Sequence, residues 1–311
     1  MILVMGTGGV GGFFGGMLAH GGEDVRFVAR GGHLSAMRAA GLAVRWAGGS
    51  FTIPPGVMTD DPGAFGPAEA VLFCVKSYDT ESAAAALAPV LDDRTLVISL
   101  QNGVENEERI RRIIPRGTVL GGVAYIYATI TAPGVVTATG GPTKLLFGPL
   151  GPDRPLLSRA AALAARMQAA GVTAEALPDM LPALWKKFIF IASVGGLTAL
   201  TRLTLGELLA EPESRDLLAE AMRETAAVAR ARGVPIEEGY VAEVFETLRR
   251  FDNATRSSLY HDLVHGKPLE IDALSGAVVR LGAAAGIDTP VHRTIAGCLL
   301  PHHRSRSART T

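Results

Sequence analysis

The chain has 311 residues, 48% of them hydrophobic, enough for two domains and a sizeable core. Its 30 basic and 30 acidic side chains cancel, so charge supplies no reason to expect nucleic acid or a membrane as partner. The two cysteines, Cys74 and Cys298, make neither a disulfide framework nor a metal-ligand spacing, and are expected as buried thiols in a reducing cytoplasm.

The first half alternates between short apolar runs and helical stretches. Ile2–Met5 is predicted as a strand, followed by a helix reaching about His20. DVRFVAR is a second strand, and HLSAMRAAGL a short helix ending at Gly41. AVLFCVK and TLVISLQN are continuous apolar strands separated by the Ala-rich helix DTESAAAALAPVL. Such strands alternating with helices predict a parallel sheet covered on both faces. VAYIYATI, GVVTATG and TKLLFGP read as shorter strands, added antiparallel to that sheet.

From about Pro155 the pattern turns helical. PLLSRAAALAARMQAAG ends at Gly171, and ALWKKFIFIASVGGLTALTR follows two prolines. The apolar core of the latter, FIFIASVGGLTAL, is shorter than the roughly 20 residues of a membrane span and reads as a buried helix. SRDLLAEAMRETAAVARARGV, GYVAEVFETLRRF and EIDALSGAVVRLGAAAG complete the helices, the last with a stripe of Ile271, Leu274, Val278, Leu281 and Ala285. The fold class expected is α/β: a doubly wound Rossmann-type sheet over 1–177, then an all-helical domain over 178–303. Residues 304–311 are expected as a disordered basic tail.

Gly6, Gly8 and Gly11 spell G-x-G-x-x-G between the first strand and the first helix. In that context Gly6 allows a tight turn, Gly8 lets the backbone approach a pyrophosphate, and Gly11 lets the helix pack close. Thr7, Gly9 and Val10 complete the candidate dinucleotide loop, whose helix N-terminus offers unpaired N–H groups to phosphate. The second strand ends in Arg30 with no acid nearby, which favours a 2′-phosphate and hence NADP over NAD. Lys76 and Asn102 directly follow buried strands, where open parallel sheets bind ligands. A surface lysine and an Asn-Gly turn are the plainer alternatives.

GTGGVG, VKSYDT, LQNGVENEE, LWKKF…LTALTR and SSLYHDLVHGKPLEID…GIDTP, in this order, resemble the ketopantoate reductase family along nearly the whole chain. The resemblance implies an NADPH-binding Rossmann domain joined to a helical domain like that of 6-phosphogluconate dehydrogenase. It also implies reduction of 2-dehydropantoate to (R)-pantoate, in pantothenate and coenzyme A biosynthesis. By the same resemblance Lys187 is the catalytic lysine and general acid, and Glu270 lies near the nicotinamide ribose and the reacting centre. Asn102 is near both nicotinamide ribose and substrate, Lys76 faces the same cleft, Ser258 binds substrate, and Ala128 offers the cofactor a backbone contact. The residues alone do not choose between Lys186 and Lys187.

The best-described family members have asparagines four and eight residues after the catalytic lysine. Here Ile191 and Gly195 stand there, with Ser193 and Thr198 as candidate replacements. A reductase of a different branched or bulky 2-oxo acid is therefore an alternative, as is a non-catalytic NADP(H)-binding regulatory protein. The expected partner is a small 2-oxo acid, with no metal, and pairing of two copies through the helical domain is plausible.

Overall fold

The computed structural model describes residues 1–307. Contacts divide the chain into two compact units: Met1–Gln101 with Asn106–Leu181, and Asn102–Glu105 with Pro182 onward.

The first unit contains β1 (Ile2–Met5), α1 (Gly9–His20), β2 (Val25–Val28), α2 (Gly31–Ala40), β3 (Leu42–Trp46), β4 (Gly49–Ile53), β5 (Met58–Thr59), β6 (Ala70–Phe73), α3 (Thr80–Ala86), β7 (Leu96–Ser99), α4 (Asn106–Arg111), β8 (Thr118–Tyr125), β9 (Ala128–Ala132), β10 (Val135–Ala138), β11 (Lys144–Gly148), α5 (Arg154–Ala169) and β12 (Thr173–Ala176). Eight strands form one sheet in the order β12-β11-β8-β7-β6-β1-β2-β5. From β5 to β8 every pair is parallel, as continuous apolar strands require when both faces are covered. Ile2, Val4, Phe27, Leu72 and Ile98 pack on one face, and Leu3, Met5, Val71, Phe73 and Val97 on the other.

The strands after β7 depart from expectation. Only β11 joins the main sheet antiparallel, against β8, which itself runs parallel to β7. VAYIYATI divides between two sheets: its first residues end β8, whereas Ala128–Ile130 start β9. β9 and β10 join the hairpin β3–β4 in a separate four-stranded sheet, ordered β4-β3-β10-β9.

Helix α1 explains the excess of glycine. A Cβ at Gly15 would lie 2.5 Å from Val4 Cγ2 and 2.8 Å from Phe27, on the main sheet. One at Gly12 would lie 2.7 Å from Val136 Cγ2, and one at Gly16 2.7 Å from Val44 Cγ2, both on the second sheet. Two glycine stripes at helical spacing thus let one helix lie close against two sheets.

The second unit contains α6 (Leu181–Thr201), α7 (Leu205–Ala210), α8 (Pro212–Ala231), α9 (Tyr240–Leu248), α10 (Ser258–Val264), a π turn over Asp272–Gly276, α11 (Ala277–Ala285) and α12 (Pro290–Ser307). Its core gathers Phe188, Ile189, Leu197, Met222, Val228, Ile271, Val278 and Ile295. With 21 residues, α6 is long and apolar enough to cross a membrane, but most of its apolar window is buried within the protein. The stretch 304–307, expected as disordered tail, is instead the last turn of α12. The rest of that tail, 308–311, lies outside the described residues. Cys298 is exposed rather than buried, and burial pushes the Cys74 thiol upward.

Candidate active site

In the first unit the strand order reverses beside β1, which pairs with β2 on one side and β6 on the other. In open α/β sheets such a point is where ligands bind, outside the carboxyl ends of the strands. Gly6 leaves β1 with φ +100°, a conformation that favours glycine, and a Cβ there would lie 2.8 Å from Val75 N. The loop is pinned to the end of β2. Gly6 N, Thr7 N and the buried Thr7 hydroxyl all donate to Val28 O, at 3.2, 3.0 and 2.9 Å. Gly8 caps α1 with no side-chain bond, and the first turn carries no acid. A Cβ at Gly8 would meet nothing within 4 Å. Gly11 is closed in by Gly6 O, only 2.2 Å from where its Cβ would be. The arrangement leaves an anionic group free access to Gly8 and to the first-turn N–H groups, so these residues fit the pyrophosphate of a dinucleotide.

Ala128 O lies 2.0 Å from the Cβ position of Gly9, so Ala128 sits beneath the loop, and Val10 packs onto the core beside it. Arg30 is exposed at the N-cap of α2, and its Nη2 is 2.5 Å from Asp79 Oδ2. An acid therefore does stand beside Arg30, contributed from the segment after β6, where the sequence around β2 shows none. Lys76 is half-buried at the N-cap of the 3-10 turn that carries Asp79. Buried Gln101, unremarked in the sequence, donates to Val75 O at 3.1 Å and Thr80 Oγ1 at 2.8 Å, tying the ends of β6 and β7 together.

The second unit holds Lys187, Glu270, Asn102 and Ser258. The two adjacent lysines differ sharply. Lys186 Nζ is 3.0 Å from Glu237 Oε1 and 5.2 Å from the Tyr240 ring centroid. Lys187 interacts instead with the carboxylate of Glu270. Burial brings the Lys187 ammonium down from its ordinary 10.5 to about 8, and Glu270 opposes that fall. Glu270 is only 7% exposed and lies two residues before the π turn, which Gly276 N closes by donating to Ile271 O, five residues back, at 2.9 Å. π turns are uncommon and gather at functional sites; the periodicity of EIDALSGAVVR gives no sign of this one.

Ser258 is exposed at the first position of α10, while Ser257 caps that helix by accepting from Tyr260 N at 3.0 Å. Thr198 is buried, with its hydroxyl 2.7 Å from both Val194 O and Ser257 Oγ, so its hydrogen bonds are taken up inside the second unit. Ser193 is fully buried. Ile191 is half-buried, and a Cβ at Gly195 would meet nothing within 4 Å. Among the described residues no cluster of His, Cys, Asp or Glu could hold a metal.

Residues 2–152 match the family described as ketopantoate reductase PanE/ApbA, and residues 179–302 match its C-terminal domain. The chain belongs to the ketopantoate reductase family. It is 32% identical to the 2-dehydropantoate 2-reductase of Halobacterium salinarum over 296 residues, 95% of this chain and 96% of that one. It is 34% identical to the 2-dehydropantoate 2-reductase of Archaeoglobus fulgidus over 298 residues, 94% and 95% of the two chains. The crystal structure of a PanE/ApbA family ketopantoate reductase from Ralstonia eutropha superposes with a TM-score of 0.89 at 35% identity, covering 98% of this chain and 99% of that one. The family's fold, a mixed α/β domain followed by a helical one, is the fold described above. Its members are NAD(P)-dependent oxidoreductases of small keto acids.

Proposed function

We propose that this protein is an NADPH-dependent 2-dehydropantoate 2-reductase that forms (R)-pantoate for pantothenate and coenzyme A synthesis. The observation that carries the reading is Lys187, an ammonium drawn down to about 8 by burial and accompanied by Glu270. Carbonyl reduction places negative charge on the oxygen and finally a proton. A poorly solvated ammonium both stabilises that charge and can release its proton near neutral pH. Glu270 keeps the lysine charged until then.

When bound, the cofactor supplies the hydride. Gly6, Thr7, Gly8, Gly9, Val10, Gly11 and Ala128 would hold its pyrophosphate, and Arg30 a 2′-phosphate. Lys76, Asn102 and Glu270 would contact the nicotinamide half, with Asn102, Lys187 and Ser258 orienting the keto acid. The same reading implies a cytoplasmic homodimer.

A second reading keeps the reaction and changes the acid. Ile191 and Gly195 follow Lys187 at helical spacing on α6, and neither can hydrogen-bond a hydroxyl through its side chain; Gly195 leaves open space. That favours a 2-oxo acid with a bulkier apolar substituent. NADPH oxidation followed at 340 nm with 2-dehydropantoate, beside a panel of other 2-oxo acids and an NADH control, separates the two. Efficient turnover of 2-dehydropantoate with NADPH supports the first reading. Turnover confined to apolar 2-oxo acids supports the second, and no turnover of any rejects both.

A further inference from the structure

Arg280, on α11, joins two segments of the second unit that are far apart in sequence. Its Nη1 donates to Asp272 Oδ1 at 2.7 Å, and its Nη2 to Asp272 O at 3.1 Å and Glu105 Oε2 at 2.8 Å. Asp272 opens the π turn two residues after Glu270. Glu105 ends the Asn102–Glu105 segment, in which Val104 packs against the second-unit core. Gly276 lets the clamp lie close: a Cβ there would be 3.1 Å from Asp272 Oδ1 and 3.3 Å from Arg280 Nη1.

We propose that Arg280 is a positioning residue, holding Glu270 beside Lys187 through the π turn and fixing the Asn102 segment through Glu105. The proposal rests on the reductase reading for the roles of Lys187, Glu270 and Asn102. Magnitudes favour position over stability. The side chains of Arg280, Asp272 and Glu105 are 47%, 62% and 32% exposed, and ion pairs so wet add little to folding. A guanidinium fork nevertheless sets orientation, because its donors lie in one rigid plane. The charged groups acting on Arg280 are Glu105 and Asp272, and the one acting on Lys187 is Glu270.

The test uses the full chain in three forms: unaltered, Arg280→Ala and Glu105→Ala. The chain has only five lysines, so ¹³C-dimethyl-lysine NMR resolves Lys187, with Lys186 as internal reference. In Arg280→Ala the Lys187 resonance should titrate at lower pH, as Glu270 drifts from it. The kcat should fall about 10²-fold, the cost of a small misplacement of catalytic groups. Glu105→Ala should raise KM for the keto acid and leave the Lys187 titration in place. Arg280→Lys, which keeps the charge but not the fork, should recover only part of kcat.

An unchanged Lys187 titration with unchanged kcat in Arg280→Ala overturns the proposal. So does a lowered melting temperature with the titration unmoved, which marks a structural tie alone. If the unaltered protein turns over no 2-oxo acid, the reductase reading fails, and the Lys187 titration still decides whether Arg280 holds Glu270 in place.

Discussion

Lys187 and Lys186 show how far two neighbouring residues can diverge. About 100° of helical rotation gives Lys186 a surface carboxylate and an aromatic face, and gives Lys187 burial beside Glu270. Lys187→Ala should therefore lower kcat about 10²–10⁴-fold, the usual loss of a general acid, while Lys186→Ala should change it little. Because the proton donor must be charged, kcat should decline as pH rises through about 8, and that alkaline limb should vanish in Lys187→Ala. Arg30 carries a separate expectation. Its guanidinium is exposed and already paired with Asp79. Arg30→Ala should weaken NADPH binding much more than NADH binding, and Asp79→Ala, which releases the guanidinium, should tighten NADPH binding. Equilibrium titration of cofactor fluorescence measures both; equal losses for the two cofactors would remove Arg30 from the 2′-phosphate role.

At the scale of elements, the loop and first turn of α1 allow almost no added volume. Gly9→Ala would place a methyl group 2.0 Å from Ala128 O, against backbone that cannot rotate away. Overpacking of this kind typically costs about 1–3 kcal/mol, so the melting temperature should fall, and cofactor binding with it as Ala128 shifts. Gly8→Ala, which meets nothing within 4 Å, should melt like the unaltered protein and lose only dinucleotide affinity.

The contrast explains what was legible in the sequence. The glycine motif, the continuous apolar strands and the amphipathic helices each announce themselves through local composition and period. The hairpin β3–β4 does not: LAVRW and GSFTI alternate weakly, and the hairpin's meaning lies in the pairing of β3 with β10, about 90 residues later in the chain. Gly12 and Gly16 of α1 are likewise uninformative until a second sheet is found on that side. The lysine and glutamate of the site could be placed by resemblance, whereas Glu105 and Arg280 meet only in the folded second unit, 175 residues apart in sequence.

For the molecule as a whole, each unit carries its own reporter and its own weak point. Trp46 lies in the first unit and Trp185 in the core of the second, so Trp46→Phe leaves tryptophan fluorescence from the second unit alone. In that unit His292 is fully buried, within 2.9 Å of Thr225 Oγ1 and 3.2 Å of Ser275 Oγ. Burial lowers it from 6.5 to about 4. The unfolded chain then binds this proton more readily, so the His292 contribution to stability falls by about 3 kcal/mol as pH drops from about 6.5 to about 4, while Glu224, raised by burial beside it, acts in the opposite direction. Urea midpoints followed by Trp185 near pH 7 and pH 4 should differ by a different amount in His292→Gln than in the unaltered protein, and an equal difference in the two would remove His292 from the pH dependence.

The first unit is constrained differently. Helix α1 meets both sheets at once, through its glycines and through side chains such as Phe13, which packs edge-on against Trp46, so the hairpin β3–β4 cannot be removed without uncovering that helix. Deleting the β3–β4 hairpin would uncover the α1 backbone at Gly16 together with the Phe13 ring, and polar substitution can replace only the latter. The slowest amides of α1, β3 and β10 should accordingly share one opening free energy in native-state hydrogen exchange. The glycine turn and the small sheet behind it should then open and close as one cooperative block.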